Sequence, residues 1–129
     1  MRLAVLLSVL ALPALAETPL TGPEFDANVT GSTLTYDYGG GLFGTEEYLP
    51  GGAVRWAFKG DTCVYGTWYQ QDDQICFVYD NDPTPQCWLY FLESGGIRGR
   101  YMGPDGGWEI LESQRTTDPL SCAGPDVGV

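Results

Sequence analysis

Histidine is absent from the 129 residues. The chain therefore lacks the commonest general base near neutral pH and the commonest side-chain metal ligand. Ser32, Ser94, Ser113 and Ser121 have no imidazole to activate them, which excludes a histidine-based hydrolase triad. Positive charge is equally scarce: six Lys and Arg stand against 17 Asp and Glu. Such a surface repels phosphate backbones and anionic headgroups, so nucleic acid is a poor partner. No Cys-x-x-Cys pair occurs, which removes the usual thioredoxin-like exchange motif. The glycine-rich stretches GGGLFG and GPDGG lack the lysine and the following helix of a phosphate loop. From these absences the expectation is a protein without catalysis, cofactor or metal.

The only long apolar run is at the N-terminus. MRLAVLLSVLALPALAETP has a basic start at Arg2, an apolar stretch from Leu3 to Leu12, and small residues at Ala14 and Ala16. This is the pattern of a secretory signal peptide cut after Ala16, too short for a membrane span. Residues 1–16 are thus read as the signal and 17–129 as one domain. The mature chain would have 129 minus 16, or 113, residues and a net charge of 5 minus 17, or -12. The expected location is the periplasm or outside the cell, with no membrane insertion after cleavage.

Between Thr33 and Glu112 short apolar and aromatic runs alternate with Gly, Pro, Asp and Asn, the pattern of an antiparallel all-β domain. Eight strands are expected: 33–38, 45–49, 53–58, 63–69, 74–79, 87–92, 96–102 and 107–111. Their short connections favour a meander, able to close into a small lipocalin-like barrel without exposed edges. Thr21 can cap a short helix over TGPEFDANV, with Pro23 and Glu24 in its first turn and Phe25 and Val29 on one face. Val54, Trp56 and Phe58 should point to the core and Arg55 to water. QICFVYD and QCWLYFLE are apolar on both faces, so either both are covered or one is an exposed aromatic patch.

Cys63, Cys76, Cys87 and Cys122, in an exported chain, imply two disulfides. A hairpin centred between Asn81 and Asp82 places Cys76 opposite Cys87, leaving Cys63 for Cys122. Pairing Cys63 with Cys76 and Cys87 with Cys122 remains open if a bulge shifts the register. Among the acids, Asp72-Asp73, Asp80-Asp82 and Glu46-Glu47 lack the remainder of a calcium loop and read as wet turn residues. A glycosidase-like pair including Glu46 or Glu109 depends on separations that a sequence does not contain.

Four tryptophans and eight tyrosines are dense enough to build a core, a barrel-mouth pocket or a binding surface. Trp56 and Trp88 are assigned to the core; Tyr65, Tyr69 and Tyr90 are the candidates for an interaction surface. The order GSTLTY, GTEEYLPGGAVRWAF, CVYGTWY, ICFVY, CW resembles small exported proteins of Gram-negative, mainly alphaproteobacterial, bacteria that carry no assigned activity. The resemblance implies a periplasmic or secreted setting and nothing catalytic. The leading expectation is a binding or interaction protein with an exported protein or small ligand as its partner. The alternatives are a carrier of a small apolar ligand inside a barrel and an inhibitor of an exported enzyme.

Overall fold

The computed structural model describes residues 17–122, so the signal peptide expected over 1–16 lies outside the described residues. Helix α1 (Gly22–Val29) precedes eight strands: β1 (Thr33–Asp37), β2 (Phe43–Tyr48), β3 (Ala53–Phe58), β4 (Val64–Gln71), β5 (Gln74–Tyr79), β6 (Asp82–Glu93), β7 (Gly96–Tyr101) and β8 (Glu109–Thr116). Each strand pairs with the next in antiparallel fashion, and β8 pairs with β1 to close the barrel. Closure leaves no strand edge unpaired. It depends on β8 running to Thr116, beyond the expected end at Leu111, so that Thr33 faces Thr116 and Leu34 faces Arg115.

Helix α1 forms where its cap predicts. Thr21 Oγ1 accepts from the Glu24 amide, and the Glu24 carboxylate accepts from the Thr21 amide, a reciprocal capping box. The helix buries Phe25 and Val29 completely at one end of the barrel. Phe25 meets Tyr48, Trp68 and Phe77 edge-on and lies tilted against Tyr90 at 4.7 Å between centroids. Leu20 binds its amide to the Tyr90 carbonyl at 2.7 Å, fixing the chain before the helix to β6. This end is plugged.

Both disulfides are Cys76–Cys87 and Cys63–Cys122. Ile75 faces Trp88, Cys76 faces Cys87 and Phe77 faces Gln86, the register of the symmetric hairpin. A shift between Phe77 and Tyr79 follows, beyond the cysteines, and so leaves their pairing intact. β6 begins at Asp82, which pairs with Tyr79, instead of at Cys87, and carries Pro83 and Pro85 in an exposed extension. The other bridge ties the C-terminal tail to the start of β4. Arg55 points outward as its alternation predicts, yet it is only half-exposed: Glu47 accepts its Nε at 2.6 Å and the Leu120 carbonyl of the tail accepts Nη2 at 3.2 Å.

Three inward-facing glycines let large rings lie flat against the wall. A Cβ at Gly44 would overlap the Trp56 ring, one at Gly66 would meet the Tyr79 ring at 2.7 Å, and one at Gly99 the Tyr90 ring at 2.9 Å. Gly66 and Tyr79 are direct cross-strand partners, as are Gly99 and Tyr90. Gly44→Ala is therefore expected to push the Trp56 indole off the wall and to cost about 1–3 kcal/mol, the usual range for overpacking. Thermal unfolding gives the cost and near-ultraviolet circular dichroism the movement of the indole; an unchanged spectrum and midpoint would show that the ring does not rest on Gly44.

Candidate ligand-binding cavity

Alternation along the strands directs one set of side chains inward, and α1 fills only one end. At the other end the barrel holds a cavity of about 840 Å³. Its deep part is made by Tyr36, Glu46, Tyr48, Phe77 and Tyr90; its walls rise through Trp56, Tyr79 and Trp88. The rim carries Tyr38, Phe58, Tyr101 and Trp108, with Asp61 from the β3–β4 loop and Asp82 at the start of β6. Rim and wall rings support one another: Trp108 packs edge-on against Trp88 at 5.4 Å and tilted against Tyr101 at 4.9 Å, while Tyr38 meets Trp56 at 6.0 Å. No Lys or Arg lines this cavity among the described residues.

Glu46 is the exceptional lining residue. It is 2% exposed, sits between inward Gly44 and Tyr48 on β2, and faces Trp56 across β3. The Tyr79 hydroxyl donates to its Oε1 at 2.8 Å, but Oε2 is buried without a hydrogen-bond partner. Burial holds the Glu46 carboxyl well above the ordinary carboxylate range, with the Tyr79 bond opposing part of that shift. Around it, Tyr36 and Tyr48 share a 2.7 Å hydroxyl contact, and burial raises the pKa of both, as it does for Tyr79 and Tyr90. A carboxyl in an apolar chamber stays neutral unless a positive group joins it.

The surface assignments divide. Tyr65 and Tyr69 lie on the outside of β4, 55% and 39% exposed. Tyr90 is a correction: at 2% exposure it points into the barrel, because the hairpin register puts Trp88 and Tyr90 on the inner face with Ile75 and Phe77. Trp88 is buried and Trp56 half-buried, both on the cavity wall. The apolar outer face of β6 is covered after all. Phe91 is 5% exposed because the Arg98 and Arg100 guanidinium groups lie over its ring at 4.5 and 5.1 Å.

The paired acids separate in the same way. Glu46 points inward and Glu47 outward to Arg55; Glu109 sits on the outer wall bound by Arg98 and Arg100. Glu46 and Glu109 therefore do not converge into a glycosidase-like pair. Among the described residues no three Cys, Asp or Glu side chains are placed to hold a metal ion, and no helix is long and apolar enough to cross a membrane. The site that sequence reasoning missed is Glu46 with its phenols. Its one signal was phase: Gly44, Glu46 and Tyr48 share a face, so an inward tyrosine carries the glutamate inward with it.

Fold and cavity together define a small disulfide-stapled, eight-stranded antiparallel β-barrel, consistent with a protein that binds a ligand or partner. No family model, curated protein or solved structure matches the chain.

Proposed function

We propose that this protein is a non-catalytic carrier of a small organic ligand held in the open end of the barrel. The observation that carries the reading is the cavity of about 840 Å³, lined by aromatic rings and closed behind by α1. Ligand pockets of this kind run about 300–1,000 Å³ and combine apolar walls with a few polar groups. The reading departs from an interaction protein presenting Tyr90 outward, since that ring is inside. Export to the periplasm or beyond, as the N-terminal pattern suggests, suits a carrier whose bridges need an oxidising compartment.

The test uses N-phenyl-1-naphthylamine, neutral at pH 7 and fluorescent in apolar surroundings. Saturable enhancement at one probe per chain is expected. Val64→Trp adds bulk to the wall beside Trp56, its cross-strand partner, and should weaken binding about tenfold or more, a loss of at least ~1.4 kcal/mol. Absence of saturable binding, or equal binding by a folded Val64→Trp variant, would refute the carrier reading.

A further inference from the structure

We infer that the ligand is an organic cation: a protonated amine with an apolar body, its ammonium group bound by Glu46 among the Tyr and Trp rings. This inference rests on the carrier reading and adds the chemical class of the ligand. Four observations converge on it. Glu46 lines the cavity with one carboxyl oxygen lacking a partner. The rings around the space, Tyr38, Trp56, Tyr79, Trp88 and Trp108 among them, have electron-rich faces that attract an ammonium ion once it has left water. All three ionisable carboxyl groups on the lining, Glu46, Asp61 and Asp82, are acidic, with no basic residue to oppose them among the described lining residues. The whole chain has 17 acidic residues against six basic ones, a field that draws cations toward the molecule.

An anionic ligand meets the opposite of what it needs at every one of these points. A neutral ligand fits the walls, yet gains nothing from the acidic rim and leaves the buried oxygen unpaired. Ammonium N–H groups would satisfy that oxygen and supply the charge the carboxylate lacks. Binding would then exchange one proton for one cation: the neutral Glu46 carboxyl loses its proton to solvent, and the resulting carboxylate pairs with the ammonium group. That proton is released to solvent where the pH lies above the ordinary carboxyl range and below the raised value of ligand-free Glu46.

The experiment compares 4-phenylbutylamine with 4-phenyl-1-butanol, the same body with a charged or neutral head, by displacement of N-phenyl-1-naphthylamine and by calorimetry at pH 7. The amine should bind about tenfold or more tightly than the alcohol, consistent with a desolvated cation on aromatic faces. Heats measured in two buffers of different ionisation enthalpy should show net proton release on binding the amine and none on binding the alcohol. Glu46→Gln preserves shape, and should bring the amine's advantage down to about that of the rings alone and abolish the proton release. If amine and alcohol bind wild-type protein equally, or Glu46→Gln binds the amine as tightly as wild type, the cation inference fails and the carrier reading stands. If neither they nor the naphthyl probe binds, both fail together.

Discussion

Replacing Phe25 by alanine is expected to lower stability by about 3–5 kcal/mol, the range for truncating a fully buried aromatic side chain. For a domain whose total stability is about 5–15 kcal/mol, that is a large share. The reason is position. Phe25 is completely buried and is the ring at which α1 and four inward residues from four strands meet: Tyr48 of β2, Trp68 of β4, Phe77 of β5 and Tyr90 of β6. Strand pairing alone does not fill this end, because Leu20, Phe25 and Val29 come from the segment before β1. Removing the ring leaves a void that the closed barrel can relax into only in part, since each strand is held on both sides. A fall in the thermal midpoint of roughly 10–20 °C is expected by circular dichroism. Phe25→Leu, which keeps most of the volume, should lose less than half as much. A Phe25→Ala midpoint within about 2 °C of wild type would show that the helix is an ornament on a barrel stable without it.

The helix plug was legible because local chemistry suffices to specify it: Thr21 and Glu24 form the cap, and Phe25 and Val29 share a face. The Cys76–Cys87 bridge was legible for a similar reason, since the hairpin is symmetric as far as Phe77 and its bulge lies nearer the turn. Tyr90 was misplaced because QCWLYFLE is apolar on both faces, which hides the phase of the strand. What breaks the tie is non-local: Arg98 and Arg100, from β7, cover Phe91 on the outside, while Trp88 and Tyr90 meet the cavity. Glu46 was hidden by its neighbour. Two adjacent glutamates read as one wet turn, whereas a strand sends them to opposite faces, Glu47 to Arg55 and Glu46 to Tyr79. The inward glycines tell the same story in the fold, since Gly66 and Gly99 look like strand breakers until their cross-strand partners Tyr79 and Tyr90 are known.

The empty protein should lose stability as pH rises, through Glu46. Its folded pKa lies above its unfolded value, so below the ordinary carboxyl range the side chain is protonated in both states and imposes no charge penalty. As pH climbs through that range the unfolded chain ionises while the native state keeps its proton. Stability then falls by up to about 1.4 kcal/mol per pH unit, until the folded pKa is passed and the full penalty of a buried charge is present. The groups packed around Glu46 do not cancel this. Tyr36 and Tyr38 from the first hairpin arm, Tyr48 on β2, Tyr79 on β5 and Tyr90 on β6 are phenols whose pKa values are themselves raised, and so stay neutral in this window. Glu112 on β8 is already paired with Arg115 at 2.6 Å. Glu46→Gln removes the titration and keeps the shape, while the acidic surface contributes equally to both proteins. The variant should therefore match wild type near pH 4 and unfold at progressively higher denaturant concentration than wild type as pH rises above the ordinary carboxyl range. A difference that stays constant over that rise would mean that Glu46 ionises as readily in the fold as out of it, and that the chamber is wetter than its rings imply.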